Sequence, residues 1–175
     1  MTVAWLLVLA ALAPADRPRA IRASLAALER IFDSRIERQS VEDPFLLLGT
    51  TRGVYLEGYG AVLTAEVNLV TGPAVTPFRP ALSKDEIARL RAKKQQRLPL
   101  LRQLMREMLL DAAGSLDAIP PGEQVVLAVT LFYYSWEDRS GLPGQILMQA
   151  PRQQLLAVRA RGAAAAEEVI AVKEY

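Results

Sequence analysis

Residues 44–70 contain the pattern that most limits how this chain can fold. From position 61 onward every second residue is apolar, as shown by Ala61, Leu63, Ala65, Val67 and Leu69. Successive side chains of a β-strand point to opposite faces of the sheet, so this alternation predicts a strand with one buried face and one face toward water. Two shorter apolar runs, 45–48 and 54–56, precede it between glycines that suit turns. We therefore predict two or three antiparallel strands in this stretch.

The first fifteen residues, MTVAWLLVLAALAPA, carry no charged side chain. A continuous apolar run at 3–12, followed by the small residues APA at 13–15, is typical of a secretory signal peptide and is short for a membrane-spanning helix. We predict that residues 1–15 are a signal peptide and that residues 16–175 form a single domain, which is exported and periplasmic or extracellular. No lysine or arginine precedes the apolar run, which departs from the usual signal peptide, and a retained N-terminal anchor or a buried N-terminal helix is the alternative.

The chain contains no cysteine and no histidine. These absences exclude disulfides, a lipid-modified N-terminal cysteine, Ser-His-Asp and Cys-His catalysis, and zinc sites with histidine ligands. Since 51% of the residues are apolar, a chain of this length can be stabilised by its core alone. No motif indicates a catalytic, cofactor or metal site, so we favour a role other than catalysis and expect no cofactor.

One helix is predicted before the first strands and a second one after them. In residues 17–37 the apolar side chains recur every three or four positions, which is typical of an amphipathic helix. After a loop at 71–80 rich in proline and glycine, Ser83 and Glu86 have the spacing of a capping box. They predict the start of a long helix that runs to about residue 113. Pro99 lies inside it and should kink the helix or split it in two.

Residues 124–136, QVVLAVTLFYYSW, are apolar on both faces and predict a central strand. The predicted elements after it are a short strand, two short helices and an edge strand, at 145–149, 151–159, 163–170 and 172–175. Blocks of strands separated by helices favour an α+β fold. We expect an antiparallel sheet of about four to five strands packed against one long kinked helix, with an N-terminal helix and short C-terminal helices.

Two carboxylates could form an acid–base pair. Glu57 and Glu66 lie on or beside predicted neighbouring strands, and glycosidases use two facing carboxylates. The simpler interpretation, which we favour, places both on the solvated face of a sheet. A carboxylate-dependent hydrolase is the corresponding alternative function.

Two surfaces are candidates for binding a partner or an anion. One is the glycine-rich turn, with Arg52, Glu57 and Tyr59; the other is the basic part of the long helix, with Arg89, Lys93, Lys94 and Arg97. Basic helical faces bind polyanions, although charge runs on helices are more often solvated. Because the helix lacks interleaved aromatic residues and the net charge is only +2, we do not expect a nucleic-acid partner.

The aromatic residues that end the central strand have two interpretations. Residues 132–136, FYYSW, could pack in the core, which we favour, or form a platform for carbohydrate or peptide.

The sequence thus predicts an exported soluble domain with a binding or structural role in the cell envelope. Its partner would be an envelope protein or an anionic surface. No second apolar segment predicts a transmembrane helix in the mature chain. Besides the hydrolase, the alternative is a membrane-associated protein held by an uncleaved N-terminal segment and the basic helix.

Overall fold

The computed structural model describes residues 17–40, 42–72, 82–159, 161 and 165–175. The predicted signal peptide and most of the predicted loop at 71–80 lie outside the described residues, as does the start of the helix predicted at 163–170. The helices are α1 (Arg17–Glu37), α2 (Lys84–Ser115), α3 (Arg152–Arg159) and α4 (Ala166–Val169). The strands are β1 (Leu46–Leu47), β2 (Arg52–Leu56), β3 (Gly60–Asn68), β4 (Gln124–Leu131), β5 (Gln145–Pro151) and β6 (Ala171–Glu174).

The structure confirms an α+β fold but corrects the expected sheet. Six strands form one mixed sheet in the order β1-β3-β4-β5-β6, with β2 pairing β3 beside β1. β3 and β4 run parallel, from Gly60 beside Gln124 to Val67 beside Leu131, whereas the other pairs are antiparallel. The expectation of an antiparallel sheet of four to five strands was therefore wrong. Parallel neighbours need a long crossover connection, and α2 supplies it because the helix separates β3 from β4 in the chain.

The two long helices begin where the sequence predicts. α1 spans the predicted residues, and its apolar stripe is buried at Ile21, Leu25, Leu28, Phe32 and Ile36. At the start of α2 both hydrogen bonds of the capping box are present, between Ser83 and Glu86. The helix continues through Pro99 as one element, so it is not split. Among the described residues no helix is both long and apolar enough to cross a membrane.

β4 lies at the centre of the sheet, as predicted, but it ends at Leu131 rather than at residue 136. The backbone N–H of Phe132 still donates to Val67 O, at 2.9 Å. The chain then turns, with the N–H of Glu137 donating to Tyr134 O at 3.0 Å. The predicted aromatic strand end is therefore a loop that lies against α2.

A single hydrophobic cluster joins the helices to one face of the sheet. It contains the buried side chains of α1, α2 and α3 together with alternate residues of β3, β4 and β5. Arg152 is buried beside this cluster, where its Nε donates to Ala113 O at 3.0 Å. A cation that binds the last carbonyl groups of a helix also complements the helix dipole. Arg152 thereby connects the start of α3 to the end of α2.

Side chains of α1 satisfy the backbone of the edge strand β2. Oε1 of Glu29 accepts from the N–H of Gly53 at 2.9 Å, and Arg22 donates to Gly53 O at 3.0 Å. Asp33 Oδ1 accepts from the N–H of Thr51 at 2.7 Å. Unpaired backbone groups make an edge strand prone to adding another chain. The polar side chains of α1 therefore protect this edge.

We predict that Gly60→Ala destabilises the protein far more than Gly49→Ala. Both glycines have positive φ, +137° at Gly60 and +81° at Gly49, so an alanine at either site costs about 1–2 kcal/mol in backbone conformation. A Cβ at Gly60 would also lie 1.9 Å from Gln124 O, whereas one at Gly49 would meet nothing within 4 Å. Urea unfolding of both variants measures the difference. Equal losses of unfolding free energy would contradict the close approach of β3 to the start of β4.

Candidate functional site

One face of the sheet packs against the helices, and we call the opposite one the outer face. Leu63 and Leu127 point to the helical side and are fully buried. On the outer face, Thr64, Glu66 and Thr130 are exposed. The strand register brings together six apolar side chains of this face, at Val54, Leu56, Val62, Val126, Ala128 and Leu147, while Leu46 lies at its β1 edge. Because Val126 and Ala128 are buried yet lie outside the main cluster, the outer face has an apolar centre of its own.

The most exposed large apolar side chains of the outer face lie on β2. Val54 and Leu56 are 50% and 48% exposed, although both are large apolar residues. Val54 pairs with Val62, which in turn neighbours Val126, so the exposed side chains continue into the apolar centre. Contiguous exposed apolar surface on a folded protein commonly marks an interaction site.

Arg52, one of the predicted site residues, lies on the same face. It lines a shallow depression of about 600 Å³ together with Thr64, Glu66 and Thr130. The hydroxyl of Thr64 donates to Arg52 O at 3.4 Å. Arg52 and Glu66 are both exposed and carry opposite charges. The depression is therefore a polar margin of mixed charge and does not form an anion site of a single sign.

The other two predicted turn residues lie at the end of the β2–β3 hairpin. Tyr59 is 43% exposed, and its carbonyl accepts from the N–H of Gln124 at 2.8 Å. Glu57 is exposed and lines a cleft on the helical side of the hairpin. The predicted turn residues therefore belong to two different surfaces, the outer face and the cleft.

The suggested carboxylate pair is not brought together. Leu56 pairs with Gly60, so Glu57 lies beside the start of β3. Glu66 lies six residues beyond Gly60 along this strand. At about 3.3 Å per residue, the two positions are roughly 20 Å apart. Glycosidase carboxylates lie within about 10 Å of each other, so this pair does not support hydrolysis.

The basic part of α2 is largely engaged inside the protein. Lys94 is completely buried and Arg97 is 8% exposed, so neither belongs to an exposed surface. Lys93 pairs with Asp43 at 2.8 Å, and Arg91 pairs with Asp138 at 3.1 Å. Among the predicted residues of α2, only Arg89 is exposed without an ion pair to another described residue, so a role for it and for Lys93 stays a prediction.

Lys94 forms a buried ion pair with Glu137 in the loop after β4. Its Nζ lies 2.6 Å from Oε2 of Glu137, and the two side chains are 0% and 3% exposed. The same ammonium donates to Phe132 O at 3.1 Å and lies 4.6 Å from the centre of the Tyr133 ring. Burial lowers the pKa of Lys94, against the opposing effect of its bond to Glu137. Burial also raises the pKa of Tyr133 to about 12.

A second set of contacts binds α2 to the segment before β1. Nη1 of Arg97 lies 2.8 Å from Oδ2 of Asp43, and its guanidinium lies 4.5 Å from the centre of the Phe45 ring. The pKa of Asp43 is lowered, chiefly by the hydrogen bond from Lys93. The cations of α2 thus fix two loops to one helix, and both loops lie at the end of the sheet where β3 and β4 end.

The aromatic residues after β4 form a stacked group instead of a strand end. The rings of Tyr134 and Trp136 are stacked, with centroids 5.2 Å apart and planes 5° from parallel. Phe132 meets Tyr134 edge to face at 4.9 Å. Tyr134 is 39% exposed, so the group is only partly buried. The sequence analysis missed this arrangement because it continued the strand through these residues.

The cleft beside Glu57 was also missed. It is lined by Arg17, Pro18, Ala20, Ile21, Tyr55, Glu57, Asp117 and Ala118. These residues come from three separate parts of the chain, and no local pattern connects them. Comparisons with known protein families, with curated proteins and with solved structures find no match to this chain. The site must therefore be interpreted from its own geometry.

We predict that Lys94→Met destabilises the protein by about 3–5 kcal/mol, because it leaves the carboxylate of Glu137 buried without its cation. The neighbouring Lys93→Met removes an exposed ion pair and should cost less than about 1 kcal/mol. The double variant Lys94→Met/Glu137→Leu should recover part of the loss, since no unpaired charge stays buried. Urea unfolding of the three variants and of the parent protein measures these free energies of unfolding. If Lys94→Met were as mild as Lys93→Met, the ion pair would not hold the loop.

Proposed function

We propose that this protein is an exported binding domain that presents its outer face to a partner protein of the cell envelope. The observation that carries this proposal is the exposure of Val54 and Leu56, about half of each, at the margin of a contiguous apolar sheet face. An antiparallel hairpin that faces water normally alternates apolar and polar residues, with the polar ones outside. On β2 two of the three outward residues, Val54 and Leu56, are apolar, so covering them would remove apolar surface from water.

The distribution of polar residues supports a protein partner. Arg52, Thr64 and Glu66 surround one side of the apolar centre, and their charges have both signs. Protein interfaces typically have an apolar core and a polar rim, and charges of both signs set the orientation of the partner. An anionic surface is the weaker candidate because Lys94 and Arg97 point inward and Lys93 and Arg91 are paired.

Export is part of the proposal and rests on the apolar N-terminal run with its small-residue site. A chain without cysteine must be stabilised in an oxidising compartment by its core and internal ion pairs, and the described residues provide both.

We expect the mature protein to begin at Asp16 and to occur in the soluble exported fraction. Signal peptidase cleaves after the second alanine of an A-x-A site, here Ala15. Intact mass and N-terminal sequencing of fractionated cells measure the chain start. Full-length protein in the cytosol would contradict export, and full-length protein in the membrane fraction would favour the retained anchor.

A single cysteine can report whether the outer face is covered in the cell. The chain has no cysteine, so each substitution gives a unique label site without background. Val54→Cys and Ile31→Cys replace residues of similar exposure, 50% and 45%, on the outer face and on α1 respectively. In the purified protein both thiols should react with a maleimide at similar rates.

In the intact envelope we expect Val54→Cys to react about tenfold more slowly than Ile31→Cys, because a bound partner excludes the reagent. Detergent extraction that dissociates the partner should restore the rate at position 54. Equal rates at the two positions in the intact envelope would contradict a partner on the outer face.

A further inference from the structure

A cleft on the helical side of the β2–β3 hairpin has the dimensions of a small-molecule site. It lies between the start of α1, the hairpin turn and the segment after α2, with a volume of about 820 Å³. Ligand pockets typically have volumes of about 300–1,000 Å³. The cleft is separate from the outer face, because Tyr55 and Val54 are successive residues of one strand and point to opposite sides of the sheet.

Part of the cleft wall is apolar and part carries charge. Pro18, Ala20, Ile21 and Ala118 supply the apolar part. Glu57 and Asp117 are exposed at its margin, and no ion pair joins either of them to another described residue. The cation of the cleft, Arg17, donates from Nε to Ala118 O at 3.1 Å, which ties it to the wall.

Tyr55 contacts a further carboxylate at the wall of the cleft. Its hydroxyl donates to Oε1 of Glu123 at 3.3 Å. The pKa of Tyr55 is raised, first by burial and then by the hydrogen bond and charge of Glu123, with a further contribution from Glu57 and an opposing one from Arg17. The carboxylates of Glu123 and Glu57 and the guanidinium of Arg17 thus all influence the pKa of the Tyr55 hydroxyl.

Glu123 carries a further unsatisfied oxygen. Its Oε2 is buried and has no hydrogen-bond partner within the described part of the chain. A buried carboxylate oxygen without a partner costs free energy that a nearby positive charge would reduce. Next to the hydroxyl of Tyr55, therefore, lies negative charge that the described protein groups do not fully compensate.

We propose that this cleft binds a small organic cation with an apolar body. The ammonium group lies near Glu57 and Asp117 and against the ring of Tyr55, where carboxylates and an aromatic face both attract a cation. The apolar body lies against Ile21 and Ala118. The described residues include no group of three carboxylates that could hold a metal ion, and the apolar wall suits an organic ligand better.

The probe for this site is benzylammonium, with benzyl alcohol as a neutral molecule of nearly the same shape. In NMR titrations we expect benzylammonium to shift the amide resonances of Ile21, Tyr55 and Ala118, with a Kd of about 1 mM. Benzyl alcohol should bind at least tenfold more weakly, because it lacks the charge that the carboxylates attract. This comparison uses the unaltered protein and does not depend on how any variant folds.

The matched variants are Glu57→Gln/Asp117→Asn and Glu66→Gln. The first removes both marginal carboxylates of the cleft, while the second removes an exposed carboxylate on the outer face. Each exposed charge contributes up to about fivefold in affinity, so the double variant should bind benzylammonium roughly tenfold more weakly and Glu66→Gln should bind it as the parent does.

Three results would overturn the proposal. They are no shift of cleft resonances with benzylammonium, equal affinity for benzyl alcohol, and equal affinity of the double variant and Glu66→Gln. None of these results bears on the partner proposed for the outer face, since the titration uses isolated protein and a ligand of the opposite side of the sheet.

Discussion

The buried ion pair between Lys94 and Glu137 constrains how α2 lies against the sheet. A completely buried ammonium is tolerated only with a close counter-ion and satisfied hydrogen bonds, and Lys94 has both in Glu137 and Phe132 O. This pair fixes the N-terminal half of α2 to the loop that follows β4. The end of α2 leads into the start of β4, so the helix runs back along one side of the sheet from the end of β3 to the start of β4. With this connection β3 and β4 are parallel neighbours.

Because the helices pack against one side of the sheet, its other side is the outer face described above. The outer face has an apolar centre at Val126 and Ala128, which are buried although they lie outside the main cluster. The hairpin of β2 and β3 then becomes the boundary between two surfaces. Its outward residues Val54 and Leu56 belong to the outer face, while Tyr55 belongs to the cleft. A partner and a small ligand could therefore contact the same short hairpin from opposite sides.

The sequence predicted the elements whose evidence is local. α1 and β3 follow from periods of about 3.6 and 2, and the start of α2 follows from two residues three positions apart. The direction of β4 was missed because strand pairing is not local, and the alternation of a strand is the same in either direction. The end of β4 was missed because aromatic residues have high strand propensity, although here Tyr134 and Trp136 stack on each other in a loop.

The two candidate sites differ in how much of them the sequence contained. Arg52 and Glu57 were predicted from the glycine-rich turn, but the cleft needs Arg17 and Asp117, which are about 40 and 60 residues away from Glu57 in the chain. The burial of Lys94 did have a sequence signal. Positions 90, 94, 98 and 101 follow the apolar stripe of α2, and a lysine in such a stripe indicates a buried cation that needs a partner.

The described helices cover only one face of the sheet, and solvent paramagnetic relaxation of methyl groups measures whether the other face is open to water. A soluble gadolinium chelate broadens resonances according to their distance from solvent. We expect strong broadening of the methyl groups of Val54 and Leu56 and very little at Leu63 and Leu127, which lie on the helical side. Equal protection of both sets in the isolated protein would show that another part of the chain covers the outer face, and it would contradict the account.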